Sequence, residues 1–89
     1  MKWRVLWLES AEQLLAKLWE NDPDRNAVTH AADFLDAALA RDPIGAGESR
    51  ADEKFVAFAL PLGVSYEVDS QHHRVRVLSV WTITKKRKK

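Results

Sequence analysis

The chain contains no cysteine among its 89 residues, which excludes disulfide bonds and thiolate metal sites. This composition agrees with a reducing compartment. No apolar run reaches the ~20 residues that a membrane-spanning helix needs, and the N-terminus lacks the continuous apolar core of a signal peptide. We therefore expect a cytoplasmic protein that does not enter a membrane.

The charges are distributed unevenly along the chain. Fourteen Lys and Arg against thirteen Asp and Glu give a formal net charge of +1, but five of the basic residues lie in Lys85–Lys89. Residues 1–84 therefore carry nine basic and thirteen acidic groups, a net charge of −4. This length has room for one core, so we expect a single domain over residues 1–84 and a basic, mobile tail over 85–89. Such a tail either attracts a polyanion such as RNA or DNA or only increases solubility.

The residues from Lys54 to Ile83 predict three short strands in an antiparallel meander. An apolar run at 55–60 is followed by alternating apolar and polar residues at 64–69, the period of a half-buried strand. A polar turn at 69–72 then leads into the β-branched run 74–81. The apolar face of such a sheet needs a cover. The side chains of the last strand that we expect to face this cover are Val75, Val77 and Trp81.

Two amphipathic helices are predicted upstream of the meander, and they are the natural cover. Ser10 is the expected N-cap of the first, which is followed by apolar residues at helical spacing. Asp22 is the expected N-cap of the second, with Pro23 at its first helical position and its end at Arg41. We expect residues 44–53 to form a polar loop.

A strand candidate at residues 2–8 precedes the helices, so the predicted order is β-α-α-β-β-β. The fold class is α+β, with an antiparallel sheet and a two-helix hairpin packed on one face. The glycines of the 44–53 segment follow a helix and precede a strand, the reverse of the order in a dinucleotide-binding fingerprint. We therefore expect no bound cofactor.

The histidines His72 and His73 are weak candidates for a general base, because the ordinary pKa of histidine lies near neutrality. They are adjacent, so on a strand their side chains would point to opposite faces, which disfavours a shared metal ion. We expect no metal site. A solvated turn is the alternative account of this pair.

The stronger candidates for binding a target are basic: Arg50, Lys54, Arg74 and Arg76. If the apolar residues of the last strand face the helices, Arg74 and Arg76 lie on the uncovered face of the sheet, where they can contact RNA or an acidic protein segment. The alternative is that they pair across the strands with Glu67 or Asp69.

The ordered set of segments resembles the RelE/ParE superfamily of bacterial type II toxins over residues 3–83. The superfamily shares the β-α-α-β-β-β order and a length close to this one. The segments that carry the resemblance are Trp3-Arg4-Val5, Asp42-Pro43, Gly47-Glu48-Ser49-Arg50, Leu62-Gly63-Val64-Ser65-Tyr66-Glu67-Val68-Asp69 and Arg74-Val75-Arg76-Val77-Leu78-Ser79-Val80-Trp81.

This resemblance implies a toxin that arrests growth and is neutralised by a cognate antitoxin protein in a hetero-oligomeric complex. RelE-like members cleave mRNA on the ribosome without a metal, using Lys and Arg of the sheet and basic or aromatic residues near the C-terminus. Arg50, Lys54, Arg74 and Arg76 would then be the phosphate contacts. ParE-like members inhibit DNA gyrase without catalysis. A third possibility is a toxin-like binding module without toxicity.

The chain differs from the nuclease pattern of the family in several places, one of which is the end of the last strand, where Trp81-Thr82-Ile83 stands in place of the His-Arg pair common among relatives. Val56 and Phe58 stand where the RelE-like nucleases tend to place lysine, and Gly63 stands where an arginine usually precedes the next strand. Whether the chain is an enzyme, a metal-independent endoribonuclease, therefore stays open at the level of the sequence.

Overall fold

The sheet has five strands in the order β1-β5-β4-β3-β2. This is a computed structural model, and it describes residues 2–83. Thr84 to Lys89, and with them the predicted basic tail, lie outside the described residues. The elements in chain order are β1 Arg4–Trp7, α1 Glu9–Asn21, α2 Arg25–Arg41, α3 Pro43–Ala46, β2 Glu48–Ala51, β3 Lys54–Ala59, β4 Leu62–Asp69 and β5 Arg74–Thr82.

The predicted α+β class, with helices packed on one face of the sheet, is confirmed. The sheet is mixed, however, and the prediction of an antiparallel sheet is wrong at one edge, because β1 pairs with β5 in parallel. Parallel strands need a long crossover connection, and the chain between β1 and β5 provides one through the helices. The remaining strand pairs are antiparallel.

The 44–53 segment is not the simple loop that its polarity suggested, because it contains most of α3 and all of β2. The short helix begins at Pro43, and the Asp42 side chain caps it by accepting a hydrogen bond from the Gly45 amide at 3.0 Å. All residues of β2 are exposed. An edge strand with no buried face has no alternating pattern, so nothing in its sequence marks it as a strand.

The start of α1 also differs from the prediction. The helix begins at Glu9 with Leu8 at the N-cap position and no side-chain cap, so Ser10 does not cap it. The Leu8 amide donates to the Val77 carbonyl at 3.1 Å. Strand β1 therefore runs directly into α1, and sheet pairing determines where the helix begins.

The second helix begins at Arg25, and Asp24 caps it in place of the predicted Asp22, by accepting a hydrogen bond from the Ala27 amide at 3.1 Å. Asp22 is the C-cap of α1: its amide makes the last helical hydrogen bond, to the Leu18 carbonyl at 3.0 Å, and its extended backbone ends the helix. The second helix thus begins two residues later than the prediction that placed its first residue at Pro23.

The core lies between the helices and strands β3, β4 and β5. Strand β4 contributes four apolar side chains at alternate positions, and α2 contributes the largest helical share. The burial predicted from the alternation at 64–69 and from the stripe of α2 is confirmed. The principal buried side chains are Val28, Leu35, Leu39, Leu62, Val64, Tyr66, Val68, Val75 and Val77.

Tyr66 is the largest fully buried side chain, and it connects the sheet to α3. Its hydroxyl donates to the Pro43 carbonyl at 2.6 Å, and its ring stacks on Phe55 at 5.6 Å between centroids. Burial, together with the negative charge of Asp42, raises the pKa of Tyr66 to about 12. A Cβ at Gly47 would meet this hydroxyl, so the close approach of the chain at that position requires glycine.

We expect Tyr66→Phe to lower the free energy of unfolding by about 1–3 kcal/mol, because the buried Pro43 carbonyl would lose its donor. Urea denaturation measures this difference. Ser49→Ala removes a hydroxyl from an exposed position of β2 and is the matched control, with an expected change within about 0.5 kcal/mol. Equal effects of the two substitutions would contradict the structural role of the Tyr66 hydroxyl.

Candidate functional site

Within residues 2–83 no helix or strand covers the face of the sheet opposite the helices, and we call this face the open face. Because side chains alternate along a strand, the burial of one face of β4 places every other residue of that strand on the open face. Direct neighbours on β5 and β3 share this side. The residues of the open face on these three strands are Lys54, Val56, Phe58, Gly63, Ser65, Glu67, Asp69, Arg74, Arg76, Leu78, Ser79 and Trp81.

Two arginines predicted to contact a target are paired with carboxylates on this face. Arg76 Nη2 lies 3.1 Å from Glu67 Oε1, and Arg74 Nη2 lies 3.2 Å from Asp69 Oδ2. Each pair joins direct partners in the β4–β5 register. The alternative weighed from the sequence, cross-strand pairing, is therefore the arrangement observed, and the role of the two arginines in binding a target stays a prediction.

Asp69 is the centre of the hydrogen bonding at the β4–β5 turn. Its Oδ1 accepts from the His72 amide at 3.2 Å, while its Oδ2 lies 2.8 Å from the His72 ring Nδ1 and also accepts from Arg74. The hydrogen bond from the His72 ring, with smaller contributions from the His72 amide and from Arg74, lowers the pKa of Asp69 to about 2. The carboxylate holds the turn closed and fixes the position of Arg74.

The two histidine candidates have different surroundings. The His72 ring is exposed and bonded to Asp69. His73 has a φ of 57°, and its ring stacks on Trp3 with centroids 3.9 Å apart. Its Nε2 is buried without a hydrogen-bond partner among the described residues. This packing makes His73 a structural side chain of the turn and leaves His72 as the accessible one of the pair.

The other two basic candidates lie toward the opposite edge. Lys54 is the direct partner of Glu67 across β3 and β4, so it continues the row of charges that begins with Arg76. Arg50 lies in an irregularity of the edge strand β2, and its guanidinium is 3.3 Å from Glu48. The structure thus brings Lys54, Arg74 and Arg76 onto one half of the open face, with carboxylates between them.

The second half of the open face is apolar, a feature that the sequence analysis missed. The rings of Phe58 and Trp81 meet edge to face, 6.4 Å apart between centroids, and they enclose Gly63. A Cβ at Gly63 would lie 2.7 Å from Trp81 Nε1 and 3.0 Å from Phe58 Cδ1. Phe58 remains 49% exposed. We call Phe58 and Trp81 the aromatic patch.

Trp81 was expected to face the helices, and this expectation is wrong. Ser65 pairs with Ser79 but Tyr66 pairs with Val77, so Leu78 is an extra residue in β5. Such a bulge shifts the alternation of the strand by one position. As a result Val80 is buried in the core and Trp81 lies on the open face.

The open face therefore combines a row of alternating charges with an aromatic patch. Residues 2–83 contain no cluster of His, Asp and Glu that could hold a metal ion. Within the same range, no helix combines the length and apolar character that crossing a membrane requires. The arrangement is suited to contact with a protein surface, since apolar area beside fixed polar groups is the usual composition of a binding patch.

Comparison with solved structures identifies the architecture. A chain of the RelBE2 toxin-antitoxin complex from Mycobacterium tuberculosis superposes with a TM-score of 0.76 at 22% identity, covering 92% of this chain and 99% of that chain. The chain has the RelE fold. Escherichia coli RelE in the free state, as a double arginine-to-alanine mutant, gives a TM-score of 0.71 at 17% identity, with 92% and 84% covered.

The isolated E. coli RelE toxin gives a TM-score of 0.61 at 18% identity, covering 94% of this chain and 87% of that one. No family model matches the sequence, and no curated protein matches it. The RelE fold is thus preserved here at low sequence identity. The predicted structural resemblance is confirmed, and the chemistry of the open face has to be judged from its own residues.

Asp69→Asn should change the pH dependence of stability. Because the pKa of Asp69 is lower in the folded chain than its ordinary value of 3.8, the unfolded chain binds more protons between about pH 4 and about pH 2. The contribution of Asp69 to stability is therefore complete above that interval and is lost as the pH falls through it. Denaturation at a series of pH values should show that the free energy of unfolding falls less steeply with acid pH in Asp69→Asn than in the wild type.

The control for this measurement is Asp52→Asn, at an exposed position between β2 and β3. For this control, the free energy of unfolding should depend on acid pH as it does in the wild type, and it should equal the wild-type value at neutral pH. Asp69→Asn should already be less stable than the wild type at neutral pH. An acid slope of Asp69→Asn equal to that of the wild type would contradict the account of the turn.

Gly63→Ala should lower the free energy of unfolding by about 1–3 kcal/mol, because its methyl group overlaps the rings of the aromatic patch. The same substitution in a Trp81→Ala background should lower the free energy of unfolding by less, since the indole ring that the new methyl group would meet is absent. Urea denaturation of the two single variants and the double variant measures this coupling. Additive effects would show that Gly63 and Trp81 do not share the contact described.

Proposed function

We propose that this protein is the toxin of a type II toxin-antitoxin system, which arrests growth and is neutralised by a protein antitoxin in a hetero-oligomeric complex. The support is the RelE fold, which the chain shares over nearly its whole length with a chain of the RelBE2 toxin-antitoxin complex. The proposed action is cytoplasmic, where ribosomes and DNA gyrase are present.

We further propose that the toxin acts by binding a protein target, of which DNA gyrase is the leading candidate, and that it does not cleave RNA. The observation that carries this choice is the pairing of Arg74 and Arg76 with carboxylates of β4. A metal-independent nuclease must stabilise the negative charge that develops on the phosphate with preorganised cations. Arginines whose charge is already balanced by neighbouring carboxylates contribute little to that task.

The alternative is ribosome-dependent mRNA cleavage, with Arg50, Lys54, Arg74 and Arg76 as phosphate contacts and His72 as the base. It would require the ion pairs of the open face to open when RNA binds. Phe58 argues against it, because it occupies the half of the face next to Gly63, where the resemblance leads us to expect lysine, and it carries no charge for a phosphate.

The toxin assignment is tested by inducing the chain in bacteria, alone and together with any small open reading frame that adjoins its own gene. Growth should stop when the chain is produced alone and continue when both genes are expressed, with co-purification of the two proteins. Normal growth with verified soluble protein would contradict the toxin assignment and favour a binding module without toxicity.

The choice between protein binding and RNA cleavage is tested by two sets of substitutions in this growth assay. Phe58→Asp should relieve growth arrest, because it places a charge in the aromatic patch, whereas Arg74→Ala with Arg76→Ala should leave arrest intact. Phe34→Asp is the matched control, since Phe34 is 60% exposed on α2, and it should remain toxic. If the folded Arg74→Ala, Arg76→Ala double variant no longer arrests growth, this result would instead support contact with RNA.

A further inference from the structure

A groove lies at one end of the sheet, between the α1–α2 connection and the β3–β4 turn. Its volume is about 390 Å³. Apolar side chains at the strand ends form one wall, and two carboxylates of the helical connection lie on the other. The residues that line it are Asp22, Asp24, Ala27, Leu60, Pro61 and Ile83. We call it the end groove. Leu60, which is 64% exposed, is the most accessible of its apolar side chains.

The two carboxylates of the end groove are held in place by the backbone around them. Asp22 Oδ1 accepts from the Asp24 amide at 2.8 Å, and Asp24 Oδ1 accepts from the Ala27 amide at 3.1 Å. Neither carboxylate has an ion-pair partner in the part of the chain that the structure describes. The neighbouring guanidinium of Arg25 donates to the Glu20 carbonyl at 3.3 Å. The end groove therefore presents fixed negative charge that the described residues do not balance.

The described chain ends in this groove. The Ile83 amide donates to the Pro61 carbonyl at 2.7 Å, which holds the last described residue against the apolar wall. The basic tail, Lys85–Lys89, begins two positions later. Because a chain spans at most ~3.6 Å per residue, the Cα atom of Lys85 can lie no further than about 7 Å from that of Ile83, and the Cα atom of Lys89 no further than about 22 Å. The covalent connection thus keeps five cations near the two carboxylates.

We propose that the basic tail binds in the end groove, with its cations against Asp22 and Asp24, and that this contact withholds the tail from nucleic acid. An ion pair between exposed side chains contributes little by itself. Here, however, the tail is joined to the groove through Ile83, and a short tether gives an effective concentration in the millimolar range. The methylene stems of the lysines would cover Leu60 while their ammonium groups reach the carboxylates.

Charge and connectivity select the tail over other occupants. The carboxylates of the end groove would repel a nucleic acid. A partner protein or a second copy of the chain would have to displace a cationic segment that is covalently attached beside the groove. A free tail of five cations attracts nucleic acid without regard to sequence, so occupation of the groove would limit this attraction. The proposal does not depend on the toxin assignment.

The position of the tail is tested by a spin label. Because the chain has no cysteine, Lys88→Cys provides a single attachment site in the intact chain. The label should broaden the amide NMR signals of Asp24 and Ala27, in the groove, more strongly than those of Phe58 and Trp81, on the open face. Equal broadening of the two pairs, or stronger broadening on the open face, would overturn the proposal.

Substitution of the carboxylates tests the contact itself. The Asp22→Asn, Asp24→Asn double variant removes both charges but keeps the side-chain oxygens that accept the local hydrogen bonds, since asparagine caps a helix about as well as aspartate. It should lose the excess broadening at the groove. The Asp52→Asn, Glu53→Gln control makes the same change of net charge at the other end of β3, about 20 Å away, and should keep it. Loss in both variants, or in neither, would contradict the contact.

The effect on nucleic acid is measured with a short fluorescent DNA duplex at low salt. The Asp22→Asn, Asp24→Asn variant should bind the duplex about threefold or more tightly than the Asp52→Asn, Glu53→Gln control, the size expected when two weak ion pairs no longer hold the tail. Replacement of all five basic residues of the tail by serine should abolish this difference. Equal affinity of the two double variants, or a difference that persists without the basic residues, would overturn the proposed withholding of the tail.

Discussion

The alternation of strand β4 is the constraint on which the rest of the structure depends. Leu62, Val64, Tyr66 and Val68 are buried against the helices, and a shift of one residue in register would expose all of them. The same alternation assigns the intervening residues to the open face, where Glu67 and Asp69 lie opposite the arginines of β5 and Gly63 lies beneath the aromatic patch. Core and candidate site are thus two faces of one strand.

Two relationships characterise the open face of this protein. The arginines of β5 are balanced by carboxylates, and apolar rings occupy the part of the face where the resemblance to RelE-like nucleases led us to look for basic residues. Because a fold does not by itself determine an activity, the RelE fold supports the toxin proposal, and the composition of the open face supports its protein-binding form.

Much of this could be predicted from the sequence, for reasons that particular residues make clear. Val64, Tyr66 and Val68 alternate strictly with polar residues, and the apolar residues of α2 repeat with a helical period. These local patterns were sufficient to predict which side chains of both elements are buried. The position of Trp81 could not be predicted, because it depends on the bulge at Leu78, a property of pairing between strands. The contact between Phe58 and Trp81 likewise depends on the register of three strands. Strand β2 has no buried residue and hence no pattern.

The central claim is that the open face binds a protein and does not cleave RNA. Mapping the 5′ ends of cellular mRNA by primer extension, shortly after induction of the chain, tests it most directly. The account predicts that growth stops without new 5′ ends at codons occupied by ribosomes. New ends at those codons, present with the wild-type chain and absent with a folded Arg74→Ala, Arg76→Ala variant, would contradict it.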